Sequence, residues 1–189
     1  GPEPDYGWAR FRGALIELAL QLGVVQSVCL GAIPAMVPHT RPAPIIMTGA
    51  DRRPRDTDPP LPAEHLRVPA AAVNLVELSL AEAGIPGVGF WAQVPHYVGG
   101  AYAAGALELV RRVADHLGVD VPTADLEEQA RVERERLDEI VSARPEAKAY
   151  LERLEDAQQM APPGGDIAGE VERFLREVTG ERKNPFEDQ

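Results

Sequence analysis

Cysteine is almost missing: Cys29 stands alone among 189 residues. That excludes an intramolecular disulfide and any zinc site built on several thiolates. Long apolar runs are missing too, since no stretch approaches the roughly 20 residues that a membrane-spanning helix needs. Basic charge is scarce, with 19 Lys and Arg against 30 Asp and Glu and a net charge of -11. Phosphate backbones and anionic lipid surfaces are repelled by such a chain, so no nucleic-acid or membrane partner is expected and the cytoplasm is the expected location. The chain opens at Gly1 with neither Met nor an apolar signal region, which reads as a fragment or a processed form. Apolar side chains, by contrast, make up 44% of the residues, enough for one domain with an appendage.

The order of patterns points to an α/β fold. Trp8, Phe11, Leu15, Leu18 and Leu22 recur at spacings of three and four, with Asp5 placed to cap the helix and Gly23 to end it. Residues 24–33, VVQSVCLGAI, are uncharged and β-branched, as expected of a strand covered on both faces and stopped by Pro34. Residues 45–50 suit a further short strand. Residues 51–66, rich in proline and charge, predict an irregular, solvent-facing loop. A second helix is predicted from Pro69 to Gly84, with Val73, Val76 and Leu80 on its inner face, then the strand GVGFWAQV and a third helix over 101–117 closed by Gly118. Helix and strand in alternation predict a three-layer α/β/α arrangement on a mainly parallel sheet.

Beyond Pro122 dense charge of both signs surrounds Leu126, Ala130, Leu137 and Ile140, and then Tyr150, Leu151 and Leu154, with Pro145 between the two sets. This predicts a helical hairpin, laid on the domain or projecting from it, whose narrow stripes seal its helices against each other, with Glu133 interrupting the first stripe; an interaction element is expected, with a hairpin packed flat on its own domain as the alternative. A last amphipathic helix with Ile167, Val171, Phe174 and Leu175 precedes a polar tail. The expected division is an α/β core over 1–120, the hairpin over 121–162, and the final helix and tail over 163–189.

Two segments share a pattern, CLGAIPAMVPHTRP at 29–42 and GVGFWAQVPHYVGG at 87–100. Each carries Val-Pro-His after a predicted parallel strand, at the carboxyl end where open α/β sheets place ligand crevices. His39 and His96 are therefore expected at one sheet end. With Arg41 to hold a phosphate or carboxylate, Tyr97 beside them, and Gly99 and Gly100 offering amides before a helix, they form the candidate ligand site. No acidic partner follows at a triad or metal-cluster spacing, so the sequence assigns no catalytic residue, metal or cofactor. Cys29 lies inside an apolar strand, where burial disfavours the thiolate, and reads as structural. Gly84, Gly87 and Gly89 precede a strand instead of following one, so they read as a helix cap and a close strand approach and not as a dinucleotide loop.

Taken in order, GPEPD with the Trp8 and Phe11 helix, LGAIPAMVPHTRP, the Val68-Pro69 helix start and FWAQVPHYV resemble the proteasome assembly chaperone 2 (PAC2) family. VRRVADHLGVDVPTADLEEQA with the later YLERLEDA is similar to its actinobacterial branch. The resemblance implies an α/β/α fold related to nucleoside phosphorylases and hydrolases, in a protein that binds other proteins, forms homo-oligomers and has a proteasome-related partner. Family domains carry further strands and helices ahead of the GPEPD-like segment, and this chain does not. Members that dock into proteasome rings can end in a hydrophobic-tyrosine-any tripeptide, whereas this chain ends in Glu187, Asp188 and Gln189. The rival expectation is a small-molecule protein or enzyme of nucleoside or phosphate type, using the His39 and His96 crevice.

Overall fold

The computed structural model describes residues 3–49 and 72–160. Eight elements follow one another: α1 (Trp8–Gln21), β1 (Ser27–Ala35), β2 (Ile45–Thr48), α2 (Ala72–Glu82), β3 (Gly87–Pro95), α3 (Ala103–Leu117), α4 (Ala124–Ser142) and α5 (Pro145–Met160). The expected loop at 51–66, the Pro69 helix start and the helix after residue 163 lie outside the described residues.

The strands form one sheet in the order β1-β3-β2. β1 and β3 are parallel, with Ser27 opposite Gly87 and Ala35 opposite Pro95. β2 runs antiparallel to β3, Ile45 facing Ala92 and Thr48 facing Gly89. Strand side chains alternate between faces, and the two faces of β3 take different covers. Val88, Phe90 and Ala92 form a core with Ile45 and Met47, over which Leu109 and Val113 of α3 pack. The Gly87 and Gly89 face lies under Glu77 of α2. Helices thus cover both faces, as expected of three layers.

Helix ends follow the glycine signals. At α2 the Gly84 N–H donates to Ala81 O (3.0 Å) and the Ile85 N–H to Leu80 O (2.9 Å). Gly84 takes φ 84, open to it for want of a Cβ, and Leu80 then meets Ile85 in a second core cluster with Ala19. The start of α1 differs from expectation: its N-cap is Gly7, with no side-chain cap. Asp5 lies two residues too early. Glu3, in the same stretch, instead accepts the Ala72 N–H at the start of α2 (2.8 Å).

Three further expectations are corrected. β1 is an edge strand among the described residues, and Leu30 is 48% exposed. Pro34 does not stop β1 but lies within it; the N–H it lacks would point off the sheet. In α1 the side chains turned toward α2 are Ile16 and Ala19, while Phe11, Leu18 and Leu22 stay exposed, because α2 meets the helix from its flank. Of the two placements expected for the hairpin, the structure shows the one laid on the domain. α4 packs along α3 as well as against α5, so the stripe Leu126, Ala130, Glu133, Leu137 serves α3 too.

Gly89 is a position where shape is decisive, since a Cβ there would collide with the Thr48 hydroxyl and the Trp91 indole nitrogen. Gly89→Ala should lower stability by about 1–3 kcal/mol through overpacking. Gly99→Ala, where a Cβ meets nothing within 4 Å, should stay within about 0.5 kcal/mol of the parent. Denaturant midpoints of the two variants test the contrast.

Candidate functional site

Parallel pairing of β1 and β3 brings both Val-Pro-His loops to the same end of the sheet. The repeat is out of register there. Ala35 lies opposite Pro95, so His96 leaves the sheet just past that pair while His39 comes three residues beyond Met36. Tyr97 stands between the two, edge to face with His39 (centroids 5.8 Å apart) and with His96 (5.3 Å).

His39 is only 3% exposed. Its backbone N–H donates to the Tyr97 hydroxyl oxygen at 3.0 Å, and that hydroxyl lies 2.8 Å from its Nδ1. Its Nε2 lies 3.1 Å from Oδ1 of Asp138 on α4. One arrangement satisfies every group: the Tyr97 O–H donates to Nδ1 while Nε2–H donates to the carboxylate. Burial pushes the Tyr97 phenol upward and the His39 amide opposes it, with Tyr150, Glu155 and Asp138 adding to the rise. The hydroxyl therefore keeps its proton and remains a donor.

Further contacts join the loops and α3 to the hairpin. The Thr40 hydroxyl donates to Glu155 of α5. The Tyr150 hydroxyl of α5 lies 3.3 Å from His96 Nε2 and the rings meet edge to face; His96 Nδ1 faces Ala35 O at 3.4 Å. Leu154 of α5 is buried beside them in sequence, 3% exposed. Glu133 of α4 accepts the Ala103 N–H at the start of α3 (2.8 Å), and Arg111 of α3 bonds both Glu108 (3.0 Å) and Glu127 of α4 (2.8 Å).

Of the residues named from the sequence, the structure thus brings together His39, His96 and Tyr97. Arg41 is exposed and turns to a cleft of about 320 Å³ between α3 and α4, lined also by His39, Tyr102, Arg131, Glu133 and Arg134. Gly99 and Gly100 are exposed in the turn before α3, whose first amide already meets the Glu133 carboxylate. Sequence reading missed Asp138, Glu155 and Tyr150, whose partners lie 99, 115 and 54 residues away. A signal was present for Glu133, an acidic residue inside an apolar stripe, as expected of a side chain with a buried donor to meet. Among the described residues no group of three or more His, Cys, Asp or Glu could hold a metal ion, and no helix is long and apolar enough to cross a membrane.

Replacing the Tyr97 hydroxyl orphans two groups of a buried histidine, so Tyr97→Phe should cost about 1–3 kcal/mol. Asp138, 48% exposed in its side chain, can be replaced by water, and Asp138→Ala should cost at most about 1 kcal/mol. Urea midpoints test the ranking. A pH dependence follows from Tyr102, whose phenol is pushed up to about 12, first by burial and then by Tyr97 and Glu133, with Arg134 opposing. Its folded value exceeds the unfolded one, so its contribution is complete below about pH 10 and is lost toward pH 12. Tyr102→Phe should flatten that alkaline decline, measured as urea midpoint against pH.

Comparison with known proteins agrees with the geometry. A Mycobacterium tuberculosis structure described as of unknown function is 37% identical, with TM-score 0.73, covering 84% of this chain and 55% of its own. A Corynebacterium glutamicum ATCC 13032 protein of unknown function is 30% identical with TM-score 0.73, covering 92% of this chain and 61% of its own. A Mycobacterium tuberculosis proteasome-assembly chaperone homologue is 34% identical with TM-score 0.69, covering 80% of this chain and 64% of its own. The chain thus spans less than two thirds of each of these solved chains. No curated protein matches the sequence. The model of the PAC2 family matches residues 1–141, which include both Val-Pro-His loops, the β1 and β3 pairing and the His39–Asp138 contact, and the chain belongs to the PAC2 family.

Proposed function

We propose that this chain is a non-enzymatic, assembly-chaperone-like protein that acts in the cytoplasm by binding other proteins, including copies of itself, without a cofactor. The observation that carries the reading is the way the polar groups at the sheet end bind one another. His39 bonds Tyr97 and Asp138, Thr40 bonds Glu155, His96 meets Tyr150, and Glu133 occupies the start of α3. A base engaged on both ring nitrogens is poorly placed to move a substrate proton. The same bonds fix the α4–α5 hairpin, so its outer charges are presented without the ordering cost a loose hairpin would bear on binding. A proteasome-related protein is the partner to test first, because one similar solved chain is described as a proteasome-assembly chaperone homologue.

A second reading rests on one observation: among the described residues the Arg41 guanidinium has no ion-pair partner, and it faces the cleft between α3 and α4. A phosphate or nucleoside could be held there, with Gly99 and Gly100 at the nearby turn.

Two measurements separate the readings. Light scattering should show an oligomer. Immobilised proteasome core particles should bind the chain with an affinity that falls at least tenfold when the exposed Arg136, Arg144 and Lys148 are changed to Glu, the melting temperature staying unchanged. A monomer that binds no core particle, and whose melting temperature rises with millimolar phosphate or nucleoside, would overturn the first reading in favour of the second.

A further inference from the structure

At three points the hairpin meets the sheet end by placing a carboxylate on a donor. Asp138 accepts from His39 Nε2–H (3.1 Å), Glu133 from the Ala103 N–H (2.8 Å) and Glu155 from the Thr40 hydroxyl. No acid near the donors in sequence could serve instead, since residues 18–50 and 83–107 contain no Asp or Glu. Three carboxylates from one appendage thus meet three donors that follow β1 and β3 at their carboxyl ends, where α/β sheets place their ligand crevices.

These bonds leave room beside them. His39 and Glu133 also line the cleft of about 320 Å³ to which Arg41 turns, a volume at the small end of ligand pockets. Arg41 has no ion-pair partner among the described residues, so it adds a positive charge that the three carboxylates leave unmet. The other arginines of the cleft are engaged: Arg111 with Glu108 and Glu127, Arg131 with Glu128 and Glu135, while Arg134 lies 3.9 Å from Asp138. Donor and occupant differ in burial as well. The His39 side chain is 1% exposed and that of Asp138 48%, so the carboxylate can turn to water while the imidazole cannot.

We propose that His39, Thr40, Arg41 and the Ala103 amide form a site for a small phosphate-type anion, and that the hairpin's own carboxylates occupy it as built-in competitors. Oxyanions are what such donors select, since one phosphate group offers several oxygens to N–H, O–H and guanidinium donors together. Binding displaces Asp138, Glu133 and Glu155 and loosens the hairpin. A seated hairpin weakens the anion in turn, because such coupling is reciprocal. The apparent affinity is the intrinsic one reduced by the fraction of molecules whose carboxylates have left. This site rests on the phosphate reading of the Arg41 cleft and adds to it an internal competitor.

The test titrates inorganic phosphate calorimetrically into the parent and into the triple variant Glu133→Gln, Asp138→Asn, Glu155→Gln, which keeps side-chain shape and removes charge. Chloride at equal ionic strength is the control. The variant should bind phosphate at least tenfold more tightly, and adding Arg41→Ala should abolish that gain. In the parent, tens of millimolar phosphate should speed deuterium exchange of the Tyr150 and Leu151 amides of α5 at least tenfold, while the Val88 and Phe90 amides of β3 stay unchanged. Equal affinities with unchanged exchange would overturn the competitor and leave the anion site standing. Binding by neither protein would overturn both, as would binding that Arg41→Ala leaves untouched. Should the variant not fold, exchange in the parent decides alone: no acceleration at tens of millimolar phosphate overturns the competitor.

Discussion

A buried histidine with a partner on each ring nitrogen holds the upper end of this molecule together. His39 extends from the loop after β1, Tyr97 from the loop after β3, and Asp138 from α4, so one imidazole joins three parts of the chain far apart in sequence. Its near-complete burial makes the arrangement demanding, because each polar group there costs free energy if left unpaired. The surrounding contacts are chemically cheaper. Thr40 with Glu155 and Arg111 with Glu127 are partly or wholly open to water, where exposed ion pairs contribute little; they orient the hairpin more than they hold it.

Much of the fold was legible in the sequence because its signals are local. Gly23, Gly84 and Gly118 end helices by a conformation that glycine adopts freely, and Pro145 starts α5 where its missing N–H costs nothing. The shared end of the two Val-Pro-His loops was legible as well, since strands entered from preceding helices run the same way. What failed depends on neighbours. An uncharged strand such as β1 looks the same whether it is central or an edge, and the spacing of apolar residues in α1 cannot say that α2 meets it from the flank. Of the site, His39, His96 and Tyr97 were legible from their repeat. Asp138, Glu155 and Tyr150 were not, because nothing local marks which charge on a crowded helix surface turns inward.

Charge and shape divide the labour across the molecule. The net charge of -11 keeps copies apart at long range but is screened within about 8 Å at physiological salt. Specific contact is therefore left to surfaces where charge is locally absent or locally ordered. The outer hairpin is of the second kind. The sheet supports it: β1 and β3 carry the two loops of the clasp at their carboxyl ends.

The central claim is that the loops and the hairpin form one unit held through His39. Native-state hydrogen exchange across a denaturant series tests it most directly, since residues that open together share one opening free energy. The amides of Tyr150, Leu151 and Leu154 in α5 should open with the same free energy and the same denaturant dependence as those of Val98 and Ala106, and both groups should fall together in His39→Ala. A hairpin that opens far more readily than Val98 and Ala106, and that His39→Ala leaves unchanged, would contradict it.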